Sequence, residues 1–343
     1  MNDATNHTTS PSTPNTFTDA LVERICRIGS VLCVGIEPEI KDLPAYVLHM
    51  FPNEGPGDWE HPGGTLGMYG ENIIRAVEPF AAAIKINLGF YFQYGAHGVR
   101  AVQGMIFEAQ KLGLPVILDV KVGDGGNSAA AYARTYIGEV PVWDGEQQRF
   151  ANRPGPLRGD AVTIESTIGD AGVNEYANMM RAYGTGGFVV VRTSFGKTPS
   201  RLEEYPRPHS HLIDPAWEEL CHMVEQLGAG TEGRHGWRNL GAVVGATRGS
   251  NDARRARELL PDSFLLIPGF GAQGGDASAA VAAAREDGLG VIVNSSRGIT
   301  NAWRATNSPL YAEAAATAAQ SAKDVLNDAL RQTNKGRGIF WDK

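Results

Sequence analysis

Asp119, Lys121 and Asp124 stand in the run PVILDVKVGDGGNSAAAYA, where their spacing brings an acid, a base and a second acid together. Alternate residues of an extended strand share a face, so Asp119 and Lys121 point the same way, with Asp124 just beyond the strand end. A carboxylate taken into an apolar interior without a partner is strongly disfavoured, so Asp119 beside Lys121 makes physical sense only as a paired or a working group. Lys85 lies near the end of the run AAIKIN and Glu37 closes LCVGIE, which aims a further cation and a further carboxylate at neighbouring strand ends. Groups of alternating sign hold one another ionised. A lone Asp-x-Lys could be an inert ion pair, but charges converging from several strands favour a working site.

A second cluster reads as an anion site. The segment PGFGAQGGD, Pro268 to Asp276, is a glycine-rich turn ahead of a helical pattern, with backbone amides at Gly274 and its neighbours and the Gln273 side chain as donors. Arg297, in NSSRGI, adds a guanidinium able to make charge-assisted bonds to phosphate. Coincidence of the two at successive strand ends strengthens what a glycine-rich turn alone would say weakly.

The elements that must position these groups are short β-rich runs, most of them followed by a helical pattern: Val31–Glu37, Ala82–Asn87, Val116–Lys121, Ala161–Ser166, Phe188–Ser194, Ala242–Thr247, Phe264–Gly269 and Val291–Ser295. Eight βα units predict an α/β fold closed as a (β/α)8 TIM barrel, whose catalytic groups project from the C-terminal ends of the strands. An open doubly wound sheet is the rival, but no Gly-x-Gly-x-x-Gly turn follows the first strand. Helices are expected at Phe17–Ile28, Gly70–Phe80 and Gly274–Arg285. Loop insertions are expected at Asn53–Met68, Gly138–Gly159 and Thr198–Pro215. A single barrel domain would span residues 17–335, between a disordered polar tail at 1–16 and a C-terminal tail at 336–343.

Composition narrows the function classes. With 31 Lys and Arg against 38 Asp and Glu, the net charge is −7, and no basic run with interleaved aromatics supports a nucleic-acid groove. The start of the chain lacks the basic and apolar regions of a secretion signal, and no run of membrane-spanning length follows. Cys26, Cys33 and Cys221 are scattered without metal-ligand spacing, as suits thiols in a reducing compartment. A cytoplasmic protein with no membrane partner is the expectation.

The runs LCVGIEP, IKINLGFYFQYG, LDVKVGDGGNSAAAYA, VVVRTS, VVGAT, IPGFGAQGGD and NSSRGI occur in this order between about Phe17 and Ile299. Together they resemble the orotidine 5'-phosphate decarboxylase family, in its longer bacterial branch. The resemblance implies a decarboxylase of orotidine 5'-phosphate that uses neither metal nor organic cofactor. In it Asp119, Lys121 and Asp124 form the Asp-x-Lys-x-x-Asp set, Lys85 completes the charge network, and Gln273 and Arg297 hold phosphate. It also implies a homodimer with shared sites, in which Asp124 and Ser128 act on the neighbouring subunit's substrate. The chain departs from the family at Glu37, usually Asp and tied to the ribose, at Gly125 and Ser128 in GDGGNS, and at Glu165-Ser166-Thr167, where this branch commonly has Asn-Pro-Tyr. A magnesium-dependent sugar-phosphate decarboxylase or aldolase shares the Asp-x-Lys-x-x-Asp set, but Lys85 stands near where such enzymes place a metal-binding Glu. A catalytically silent nucleotide-binding barrel is the alternative from another class.

Overall fold

The structure is a computed structural model and describes residues 15–55, 57–193, 215–245, 250–271, 276–306 and 310–340. Strands β1 (Leu32–Ile36), β2 (Ala83–Asn87), β3 (Val116–Val122), β6 (Ala161–Ile164), β7 (Gly186–Arg192), β8 (Arg238–Val244), β9 (Ser263–Ile267) and β10 (Val291–Ser295) close into one parallel barrel in the order β1-β10-β9-β8-β7-β6-β3-β2. Strands β4 (Glu139–Asp144) and β5 (Arg149–Pro154) form a separate antiparallel hairpin. The expected (β/α)8 barrel is thus present, and each expected strand overlaps an observed one. Strands such as β1 and β9 are buried at every position, because helices cover one face and packed side chains fill the other.

The helix Phe17–Ile28 precedes the first strand and plugs the N-terminal end of the barrel. Thr16 and Asp19 make a reciprocal capping box at its start, and Gly29 ends it in the left-handed conformation. Thr16 is therefore structured and buried rather than part of a polar tail. Arg24, 2 % exposed, donates to the carbonyls of Ala81 (2.8 Å), Glu78 (2.5 Å) and Gly113 (3.4 Å). Thr18 bonds Asn239 and the Trp237 carbonyl (3.1 Å). One helix thereby ties together the segments entering β2, β3 and β8.

Several connections differ from expectation. The helix expected at Gly70 runs over Glu60–Val77 and takes in much of the predicted loop. Its glycines are not loop signals. A Cβ on Gly63, Gly67 or Gly70 would lie 2.6 Å from His97, 3.3 Å from Ala101 or 2.2 Å from Met105, so they are a stripe at helical spacing that lets the helix Gly95–Lys111 approach closely. Pro62 sits in the first turn, where a missing N–H is tolerated.

The predicted loop at 138–159 contains the hairpin, with Trp143 edge-on to Phe150 at 5.2 Å. The alanine-rich stretch expected as the helix Gly274–Arg285 is helical only over Ala277–Ala280. Beyond it Lys335 donates to the carbonyls of Ala282 (2.9 Å) and Ala284 (2.6 Å), satisfying acceptors that a continuing helix would have paired. The third insertion, at 198–215, lies outside the described residues apart from Pro215. A long helix, Tyr311–Gln332, was not predicted; it caps the first helix through Lys323 to Ile28 and Asn327 to Gly29. The last segment does not trail off as a tail at 336, since Phe340 is fully buried against Gly288 and Gly336.

The Arg24 contacts lie at the end of the barrel opposite the charged residues. Arg24→Met should leave several carbonyls unsatisfied and lower unfolding free energy by about 2–4 kcal/mol. Urea unfolding would read this, with the ligand-binding properties of the folded fraction unchanged.

Candidate active site

At the C-terminal end of the barrel lies a cavity of about 390 Å³ lined by Glu37, Lys85, Asn87, Asp119, Lys121, Thr163, Glu165, Val190, Thr193, Val243, Leu266, Pro268, Gly269, Phe270, Asn294, Ser296 and Arg297. A slightly larger hollow of about 400 Å³ sits at the far end, beside Thr16, Arg158 and Asp160, away from the charge network. The mouth cavity is where barrel chemistry belongs.

Asp119 is its centre. The carboxylate is 7 % exposed, receives Lys85 Nζ at 2.6 Å on Oδ2, and receives both Lys121 Nζ and the Thr163 hydroxyl (2.9 Å) on Oδ1. Glu37 Oε2 stands 3.8 Å from Lys85 Nζ. Burial by itself would raise the Asp119 pKa, but the Lys85 and Lys121 charges outweigh it and hold the carboxyl well below the usual carboxylate range. Burial would likewise lower the Lys85 pKa, yet Asp119 and Glu37 keep it above the ordinary lysine value. Beneath Lys85, burial pushes the Cys33 thiol up to about 12, so it stays an inert thiol.

The strand carrying these groups is irregular. Between Leu118 and Val122 the pairing of β3 with β6 slips, and Lys121 adopts φ 48°. Simple alternation therefore does not place Lys121; a bulge does, as bulges at barrel rims commonly re-aim a side chain. The two lysines differ in freedom: the Lys85 side chain is 5 % exposed and the Lys121 side chain 47 %. The sequence reading missed Asn87, Thr163, Asn294 and Ser296. Asn87, Asn294 and Ser296 lie at strand ends, which was the available signal. A Cβ on Gly35 of β1 would come within 2.0 Å of Ser296 Oγ, so this glycine is a requirement of the same wall.

Arg297 opens a short helix, Arg297–Thr300, that follows β10 and lines the cavity, and Val190, Val243 and Leu266, from β7, β8 and β9, form its apolar wall. Gln273 and Gly274 fall outside the described residues. Asp124 and Ser128 do not line the cavity: both are exposed, and Asp124 accepts the Gly125 N–H at 2.7 Å. Gly125 is open on its Cβ side. At the strand-four end, Glu165 lines the cavity and accepts the Thr167 N–H at 3.2 Å.

A family model described as orotidine 5'-phosphate decarboxylase / HUMPS matches residues 70–307, more than two thirds of the chain and most of the cavity wall. The chain belongs to this family. Orotidine 5'-phosphate decarboxylases of Caldicellulosiruptor saccharolyticus and Deinococcus radiodurans are 32 % and 31 % identical to it; each alignment covers 92 % of this chain, with 99 % and 98 % of those proteins. A Toxoplasma gondii structure assigned as an orotidine-monophosphate decarboxylase superposes with TM-score 0.72 at 26 % identity, covering 93 % of this chain and 99 % of that one. Residues Lys85, Asp119, Lys121, Asp124, Gln273 and Arg297 all fall within the family match. Among the described residues, no helix is long and apolar enough to cross a membrane.

The depressed pKa of Asp119 means that its contribution to stability is complete above the ordinary carboxylate value and fades as pH falls through the lower folded one. The raised pKa of Lys85 has the opposite sense: its contribution is complete below the ordinary lysine value and fades as pH rises through the higher one. The pair should therefore contribute undiminished from about pH 5 to about pH 9. Lys85→Met should cost about 3 kcal/mol at neutral pH, and this difference from wild type should shrink as pH falls below the ordinary carboxylate value, because Asp119, no longer held so far below it, has less stabilisation to lose. Urea unfolding across this pH range measures both effects.

Proposed function

We propose that the protein is an orotidine 5'-phosphate decarboxylase, a carboxy-lyase forming uridine 5'-phosphate and CO2 in pyrimidine nucleotide biosynthesis. The observation that carries this is the buried Asp119 carboxylate held between two ammonium groups on the cavity floor. The family membership supplies the substrate, and the array supplies a reason for the reaction.

Decarboxylation breaks the bond from C6 to the carboxylate carbon, leaves the electron pair on C6 and releases CO2; a proton then completes the product. That carbanion-like centre lacks a conjugated sink, so fixed charge must stabilise it. Lys121 is suited to this, being the half-exposed ammonium facing the cavity, and it gives its proton to C6. Lys85 stays with Asp119 as the fixed counter-charge. Asp119 next to the substrate carboxylate disfavours the bound ground state as CO2 begins to leave. Glu37, which lines the cavity beside Lys85, holds the ribose hydroxyls in this reading.

Both Asp119 oxygens are already occupied by donors, which disfavours a divalent cation there and with it the magnesium-dependent alternative. No cofactor enters the proposed chemistry. Arg297, with Gln273 and Gly274, takes the phosphate, and its remote binding energy helps assemble the charged end of the site. Asp124 and Ser128, exposed and outside the lining of their own cavity, complete the site of a second copy in a homodimer. The buried thiols of Cys33 and Cys221, outside any disulfide, are consistent with a cytoplasmic setting.

Loss of ultraviolet absorbance on adding orotidine 5'-phosphate measures turnover directly. Wild-type turnover should survive chelator, and Lys121→Ala should lower it by about 10³-fold or more. Nucleotide binding without wild-type turnover would overturn the enzyme reading.

A shared site gives a second expectation. Lys121→Ala and Asp124→Ala, each nearly inactive alone, should regain activity when dissociated and reassociated together, because a mixed dimer contains one site free of both substitutions. Titration of one variant into the other, read by the same absorbance change, checks it; no recovery in verified mixed dimers would refute sharing.

A further inference from the structure

Resting on the decarboxylase reading, we infer that Thr163 is the positioning residue of the site, its single hydroxyl fixing both the Lys121 bulge and the Asp119 carboxylate. Thr163 lies within β6, 1 % exposed, beneath the mouth cavity. Its Oγ1 accepts the backbone N–H of Val120 at 3.0 Å and of Lys121 at 3.1 Å, and donates to Asp119 Oδ1 at 2.9 Å. A hydroxyl offers one proton and two lone pairs, so this one is fully used.

These bonds replace the ladder that β3 loses. Ile117 and Leu118 pair in register with Ala161 and Val162, and pairing resumes only at Val122 with Ile164. In the gap the N–H groups of Val120 and Lys121 would otherwise lie unpaired at a barrel seam. Lys121 meanwhile holds φ 48°, which is costly for a side chain other than glycine and persists only where its surroundings enforce it. Two donors converging on one oxygen supply that enforcement.

The third bond matters for turnover. Lys121 and Thr163 share Asp119 Oδ1, and Lys121 must turn toward C6 to deliver its proton. The Thr163 hydroxyl then keeps Oδ1 hydrogen-bonded and the carboxylate plane fixed against the substrate. Thr163 acts on the reacting atoms through Asp119 and Lys121, which it holds.

Thr163→Val keeps the β-branched shape and removes the hydroxyl; Thr163→Ser keeps the hydroxyl. The valine variant should lose about 10²-fold in kcat with KM changed less than about threefold, and serine should stay within about fivefold of wild type. A valine variant within about threefold of wild type, or a serine variant as impaired as valine, overturns the proposal. If the valine variant does not fold, Thr163→Cys, similar in size but a poor donor and acceptor, replaces it, and a kcat equal to that of serine overturns the proposal. Hydrogen exchange over residues 116–125 separates the two readings. If wild type lacks turnover, the decarboxylase reading fails alone; protection lost with valine or cysteine and kept with serine would still support positioning by Thr163, and unchanged protection would refute it.

Discussion

One buried carboxylate constrains the mouth of this barrel. Asp119 is nearly inaccessible to water and yet held ionised, which is possible only because two ammonium groups and a hydroxyl replace its hydration. Each partner comes from a definite place: Lys85 from β2 on one side, Thr163 from β6 on the other, and Lys121 from the same strand after a bulge. The strand order β2-β3-β6 is therefore an electrostatic requirement as well as a topological one. Moving any of the three strands by one residue would turn a lysine or the hydroxyl away and leave a bare charge in the wall.

The opposite end of the barrel is organised by the same physics without chemistry. Arg24 is as buried as Asp119, but its donors are spent on backbone carbonyls and Glu78, all at the base. Its guanidinium closes the base of the barrel and lines neither the mouth cavity nor the hollow at that end. Burial of a charge is thus no indicator of function. What distinguishes Asp119 is that one of its partners, Lys121, remains half-exposed to a cavity large enough for a small ligand, within the range of roughly 300–1,000 Å³ typical of such sites.

Much of this was legible in the residues. The parallel barrel followed from eight apolar runs at βα spacing, and Lys85, Asp119, Lys121 and Arg297 followed from polar residues at strand ends. Other elements were hidden for physical reasons. The glycines of Glu60–Val77 read as a loop because glycine in isolation is a breaker, and only the facing helix reveals them as a packing stripe. The hairpin β4–β5 has exposed, weakly alternating strands, so periodicity did not separate it from a loop. Thr163 was invisible in another way. A threonine amid AVTI is ordinary strand filler, and its role depends on a slip in pairing between strands that no single segment records.

That slip also reconciles two demands on Lys121. As the ion-pair partner of Asp119 it must reach back over its own strand, while as the proposed proton donor it must face the open cavity. A regular strand would fix its side chain to one direction, perpendicular to the sheet. Lys121 departs from that regular geometry at φ 48°, and its ammonium, paired with Asp119, stays half-exposed to the cavity, so the proposed proton transfer asks only for rotation about side-chain bonds. Lys85, rooted in the regular part of β2, has no such freedom and keeps Asp119 paired throughout. Two lysines of identical chemistry are thus divided by backbone geometry into a buried charge and a half-exposed one, and that division lets a buried carboxylate remain ionised while leaving one ammonium open to the proposed chemistry.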